Sequence, residues 1–213
     1  MALIVINTCD QVCAVMIRAE NKDFSEHIQM PTGQDRELAM MVKRSFSKAD
    51  ITPAQLTKII VAVGPGSFTG VRIGVAFAKG LAIATNAPVT GVNLLHALAH
   101  QALTENYEIG VGVKNVGRGQ IAWCIIDNKQ VLQQPVTGNP DQLIAELQQI
   151  ANGRSYNVAG DVISGLDIVS VVKPTLQTIA DIAKTIDPKS NTASPWYCRP
   201  PDAKLPGGID PWA

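Results

Sequence analysis

Residues 58–82 read KIIVAVGPGSFTGVRIGVAFAKGLA. The first six, 58–63, form a short apolar run of the kind that makes a buried strand. Gly64, Gly66 and Gly70 follow within seven residues, and a stretch rich in small and apolar side chains then continues to about residue 84. A buried strand that passes through glycines into a helix is a building unit of α/β folds. Working outward from it, residues 2–7 are another apolar run, and 11–18 and 23–30 follow at hairpin distance. Leu38, Met41, Val42 and Phe46 recur at helical spacing over 35–47. Thr52-Pro53-Ala54-Gln55 has the form of a capping box with proline at the first helical position, which predicts a short helix there. Residues 88–92 read as a short strand and 93–104 as a helix.

The second half begins the same way. A strand over 108–114 leads through a glycine-rich turn into strands over 120–127 and 130–136. Asn139-Pro140-Asp141-Gln142 is a second capping box, and Leu143, Ile144, Leu147 and Ile150 make the helix after it amphipathic. A further helix is predicted over 174–186. Three strands and a helix are thus given twice, which suggests two lobes related by duplication. Asn7 is followed seven residues later by Ala14, and Asn115 seven residues later by Ala122, in similar apolar surroundings. The boundary falls near residue 106, giving a first lobe over 1–105 and a smaller second lobe over 106–213. Residues 195–213 hold five prolines and two tryptophans, which rules out a regular helix and reads as an extended surface tail.

Composition narrows the function. The chain has 213 residues, 46% hydrophobic and 17% charged, so it can build a core and is not a disordered chain. Eighteen basic residues balance eighteen acidic ones, which argues against autonomous nucleic-acid binding, because phosphate neutralisation needs a basic excess. Cys9, Cys13, Cys124 and Cys198 have no metal-ribbon spacing and read as free thiols. The apolar stretch 71–84 is interrupted by Arg72 and Lys79, so no membrane span is expected. Residues 2–6 read as a strand rather than a leader, and the chain is expected to be cytoplasmic.

Two features of the opening stretch carry chemistry. Glycine permits close backbone approach, and a helix N-terminus presents free N–H groups that suit an anion. The G-x-G-x-x-x-G spacing of Gly64, Gly66 and Gly70 fits neither the dinucleotide fingerprint nor a P-loop. Gly112 to Gly117 has P-loop spacing, but Arg118 stands where the lysine should. An anion cradle and a tight strand-to-helix turn both satisfy these patterns. Gly70, Gly74, Ala78 and Ala82 recur every fourth residue, making a smooth helix face beside a stripe of Val71, Val75 and Lys79. That face suits either packing on the chain's own sheet or a helix–helix contact with another chain.

The core GPGSFTG (64–70), continued by VRIG, closely resembles the signature segment of the TsaB (YeaZ) family. PVTGV at 88–92 and Pro195-Trp196-Tyr197-Cys198-Arg199, similar to that family's P-x-Y-x-R ending, support the match. The resemblance covers most of residues 1–105 and is patchy afterwards. It implies an α/β, two-lobed, duplicated actin-like ATPase (ribonuclease H-like) fold with mixed sheets flanked by helices. It also implies a non-catalytic partner subunit of the machinery that makes N6-threonylcarbamoyladenosine next to the anticodon of tRNAs reading A-starting codons. Such a subunit pairs with its catalytic paralogue TsaD through helices of the first lobe and forms a homodimer when alone. It meets the ATPase TsaE and the tRNA only through the complex. With the small-residue stripe, the resemblance assigns to that contact Arg36, Ala39, Met40 and Lys43 of the first helix, and Phe68, Val71, Arg72, Gly74, Val75 and Ala78 of the second.

The same resemblance allows a test for an active site. Catalytic relatives hold a metal through H-x-x-x-H in a V-N-H context. Here Val92-Asn93 is followed by Leu94, and the second histidine position is Leu98. His96 and His100 keep the four-residue spacing but lie two positions out of register, so neither a metal site nor a catalytic residue is expected. Superfamily kinases place aspartates where this chain has Asn7 and Asn115, and asparagine lacks the charge a Mg²⁺ needs. Asn7, Thr8, Asp10, Gly64, Gly66, Ser67 and Asn115 mark what is left of a nucleotide site, leaving room for weak ATP or ADP binding and no required cofactor. Ser67 and Ser164 lie outside any G-x-S-x-G, so peptidase chemistry has no residue support. The rival readings are a cleft ATPase or kinase built on Thr8, Gly66 and Asp10, and a structural homodimer.

Overall fold

A computed structural model describes residues 2–20, 22–166, 173–188, 191 and 193–199. In the first half β1 (Ala2–Asn7), β2 (Val12–Ala19), β3 (Lys22–Gln29), β4 (Leu56–Ala62) and β5 (Val89–Val92) make a sheet of order β3-β2-β1-β4-β5. β1 pairs antiparallel with β2 and parallel with β4, so the sheet is mixed. In the second half β6 (Ile109–Gly117), β7 (Gln120–Asp127), β8 (Val131–Gly138) and β9 (Tyr156–Gly160) make a sheet of order β8-β7-β6-β9. The second order repeats the first four strands of the first, again with two antiparallel ladders and one parallel ladder.

The helices follow from their apolar periodicity and their caps. α1 (Gln34–Ala49) buries Leu38, Met41, Val42 and Phe46 and stops at Asp50, whose left-handed backbone (φ 53°) returns an N–H to the Phe46 carbonyl. α2 (Phe68–Thr85) is started by Ser67, whose hydroxyl accepts from the Gly70 N–H. α3 (Leu94–Ala102) is capped by Asn93, and α4 (Pro140–Ala151) by the Asn139–Gln142 box. The other capping box, at Thr52, begins only a single 3-10 turn, Pro53–Gln55. Leu56 is drawn at once into β4 opposite Ala2, so no helix can propagate.

α5 (Leu176–Ile182) is shorter than the predicted 174–186. β9 has no counterpart among the sequence expectations: five residues, YNVAG, carry no period, and their strand state comes from parallel pairing with β6. The sequence boundary near residue 106 separates the two sheets but not the end of the chain. Ile179, Ala180, Ile182, Ala183 and Ala193 complete the core of the first sheet. The Asn191 side chain doubles back on the edge of β5, accepting from Gly91 N at 3.1 Å and donating to Gly91 O at 2.8 Å. α3 stands between the sheets, giving Leu94 and Ala97 to the first core and Leu95, Leu98 and Ala99 to a cluster with Ala122, Cys124 and Ile126 of β7.

Gly110 and Gly112 lie on β6, where an added β-carbon would fall on the Ala99 and Leu95 carbonyl oxygens of α3. The P-loop spacing at Gly112 is therefore a seat for a helix. Residues 200–213, including Trp212 and most of the expected tail, lie outside the described residues.

Candidate functional site

The β1–β2 turn lies against the end of β6 that leads into the β6–β7 turn. Asn7 is buried, and its Oδ1 accepts from Cys9 N at 2.9 Å, so the side chain closes its own turn. Thr8 is fully buried and donates its hydroxyl to the Gly70 carbonyl at 2.6 Å. Asp10 and Gln11 both have left-handed backbones, φ 58° and 57°. The Asp10 carboxylate meets Lys114 Nζ at 2.9 Å, and Lys114 lies 3.9 Å from Asp161. Burial pushes the Asp10 carboxyl above its ordinary range, and the ammonium of Lys114 opposes that shift. Asp161 accepts from Asn115 N at 2.9 Å, while Asn115 Oδ1 accepts from Gly117 N at 2.8 Å.

The expected equivalence of Asn7 and Asn115 needs correction. Asn7 pairs with Ala14, but Lys114, not Asn115, pairs with Ala122. A register shift between Asn115 and Gly117 adds a residue to the second hairpin, and a one-residue slip turns a side chain to the other face. Sequence reasoning missed Lys114 for this reason, and Asp161 because it follows β9 (Tyr156–Gly160), a strand the sequence does not announce.

The glycine loop is closed against the chain itself. A β-carbon on Gly64 (φ +111°) would lie 2.6 Å from the Trp196 carbonyl oxygen, and one on Gly66 2.7 Å from the Cys9 β-carbon. On Gly70 and Gly74 it would fall on the Thr8 carbonyl and hydroxyl oxygens. Gly66 and Ser67 reach solvent, but Ser67 is engaged as the α2 cap.

The same geometry corrects the expected interface. Val71, Gly74, Val75 and Ala78 are buried against this chain's own sheet and the Thr8 turn, so the small-residue face of α2 is core. α2 is long and apolar enough to cross a membrane by length and composition alone, yet this face is packed on β4. Arg36, Ala39, Met40 and Lys43 of α1 and Phe68 and Arg72 of α2 are exposed. Exposed with them are Ala76 and Ile83, which the sequence reading passed over. The signal was available: Ala76 and Ile83 lie on the same helical stripe as Arg72 and Lys79, opposite the buried face.

The Trp196–Arg199 segment ties this region to the second lobe. Trp196 N donates to Val63 O at 2.7 Å. Arg72 donates to the Tyr197 hydroxyl at 2.8 Å and stacks 3.5 Å above the Phe68 ring. Arg199 reaches the Val116 carbonyl of β6.

On α3, Leu94 and Leu98 are buried, filling the positions where the resemblance would put metal-binding histidines. His96 and His100 turn instead toward a groove of about 920 Å³ shared with Val63, Ile126, Ile182 and Trp196. His96 Nε2 is buried without a hydrogen-bond partner, and desolvation pushes the imidazole pKa down. Among the described residues no three His, Cys, Asp or Glu side chains come close enough to hold a metal. Burial pushes the thiols of Cys13 and Cys124 up to about 11 and about 12, which keeps them protonated and poorly nucleophilic.

A family model described as TsaD, tRNA N6-adenosine threonylcarbamoyltransferase, matches residues 34–152. The Bacillus subtilis (strain 168) tRNA threonylcarbamoyladenosine biosynthesis protein TsaB is 30% identical over 147 residues, covering 68% of this chain and 64% of that protein. The Escherichia coli (strain K12) protein of the same name is 28% identical over 125 residues, 58% of this chain and 54% of that protein. The chain therefore spans between 54% and 64% of the length of these two relatives. Among solved structures, a Pseudomonas aeruginosa protein described as uncharacterized, with similarity to the peptidase YeaZ, superposes with a TM-score of 0.78 at 21% identity. That superposition covers 93% of this chain and 99% of the other, and it establishes the two-lobed α/β fold.

Proposed function

The chain belongs to the TsaD family, whose model spans residues 34–152, and from that premise we propose that it works as a TsaB-like, non-catalytic partner of a TsaD-like paralogue. The product of that assembly is N6-threonylcarbamoyladenosine next to the anticodon of tRNA. The observation that carries the proposal is the outer face of α1 and α2. Ile83 is 86% exposed, Met40 53% and Phe68 40%, and Arg36, Lys43 and Lys79 are exposed on the same two helices. Large apolar side chains exposed among charged ones are the usual character of a protein-binding surface. Leu94 and Leu98, in place of metal-binding histidines, support a supporting rather than a transferring role. In this reading the chain needs no cofactor, meets TsaE and tRNA only within the complex, and covers the same face with a second copy when alone.

The test mixes the purified chain with TsaD from the same organism and measures mass by light scattering on a sizing column. A 1:1 heterodimer replacing a homodimer is expected, and tRNA modification should depend on it. Burying an isoleucine contributes about 1.5–3 kcal/mol, so Ile83→Arg should weaken both associations by roughly 10- to 100-fold while the monomer stays folded. Val71→Arg does not test the contact, because Val71 is fully buried and the variant fails in its own core. A complex that survives Ile83→Arg and Met40→Asp puts the contact elsewhere. No complex with or without Mg-ATP moves the reading to a self-contained dimer or a cleft enzyme, which nucleotide turnover then distinguishes.

A further inference from the structure

Besides α3 and the Trp196–Arg199 segment, the two lobes meet through an ammonium group placed between two carboxylates. Lys114 leaves β6 from the register position that Asn7 holds in β1. Its side chain is 19% exposed, and Nζ lies 2.9 Å from Asp10 in the first lobe and 3.9 Å from Asp161 in the second. Both carboxylates are aimed by their backbones. Asp10 and Gln11 are the central pair of a two-residue hairpin turn closed by Val12 N donating to Cys9 O at 3.2 Å, and both take the positive φ that this turn requires. The Asp161 oxygen that faces Lys114 also accepts from Asn115 N at 2.9 Å.

Two carboxylates converging from separate segments call for a cation, and in an open ligand cleft a divalent metal carrying an anion would answer it. Here the chain supplies the charge itself. The neutral neighbours Asn7 and Asn115 do not compete, since both amides close on backbone N–H groups of their own turns.

We propose that Lys114 is a built-in counter-ion that latches the β1–β2 turn of the first lobe to β6 of the second, so that this contact needs no bound ligand. Lys173 lies near enough to Asp10 to add to the same field. The latch stands whether or not the outer face of α1 and α2 binds the proposed partner.

Amide hydrogen exchange on the full chain tests it, with Lys114→Met and Asp10→Asn compared against the parent, each with and without millimolar Mg²⁺ or Mg-ATP. In Lys114→Met, amides of residues 8–12 and 112–117 should exchange about tenfold faster, while those of β4 keep their protection. Asp10→Asn should do the same and add nothing in the Lys114→Met background. Lys114→Arg should restore most of the protection. Neither Mg²⁺ nor Mg-ATP should slow exchange in the parent. Unchanged exchange at the two turns in both single variants overturns the latch. So does a parent chain that closes further when Mg²⁺ or Mg-ATP is added. If Lys114→Met does not fold, Asp10→Asn, which keeps the size of the side chain, carries the same test.

Discussion

Both lobes press a helix against the sheet closer than a β-carbon allows, and they do it from opposite sides. In the first lobe the helix gives way: Gly70 and Gly74 of α2 admit the Thr8 backbone and hydroxyl. In the second lobe the strand gives way: Gly110 and Gly112 of β6 admit the carbonyls of α3. In sequence the first pattern resembles a helix-pairing stripe and the second a phosphate loop. The comparison teaches that a glycine pattern reports where two backbones approach, not which object approaches. Here both objects belong to the chain itself.

The comparison can be broken most directly by restoring the missing carbons. Gly70→Ala and Gly112→Ala would each drive a methyl group into a backbone carbonyl that cannot rotate away, at a cost of about 3 kcal/mol in urea unfolding. Equal losses in the two lobes sharpen the comparison. A stable Gly70→Ala that has lost only its partner would make the inner face of α2 an interface and break it. A smaller effect isolates the first lobe's dependence on distant sequence. Asn191→Ala removes both hydrogen bonds from the β5 edge and should cost about 1–2 kcal/mol, with faster exchange at Gly91 N–H.

The smallest effect concerns α3, which both lobes share. His96 has its pKa held below the ordinary histidine value of about 6.5, so the unfolded chain takes up the proton first. Its contribution to stability is complete above that value and is lost as pH falls through it, by at most about 1.4 kcal/mol per pH unit. Urea midpoints on either side of about pH 6 should show this slope, and His96→Leu should flatten it. An unchanged slope in that variant would assign the acid loss to other groups.

Much of this architecture was legible because its signals are local. The apolar runs of β1 and β4, the period of α1 and the Asn139 cap each depend on neighbours within a few residues. What escaped depended on distant partners. β9 is a strand only because β6 lies beside it, and the Thr52 box failed because Ala2 claims Leu56. The Asn115 match failed on one inserted residue, a bulge that composition does not announce. The exposed half of the proposed interface, Arg36, Ala39, Met40, Lys43, Phe68 and Arg72, was read correctly as surface. Its buried half was not, since a small-residue stripe looks the same whichever neighbour it receives.

The return of the chain to its starting lobe has a consequence for synthesis. The first sheet is complete in sequence by residue 92, yet Ile179, Ala180, Ile182 and Ala193 close its core, and Asn191 seals its edge. A ribosome delivers those residues well after the last strand of that sheet. Until they emerge, the nascent first lobe carries an open apolar sheet face, so its folding must wait on sequence translated after the second sheet.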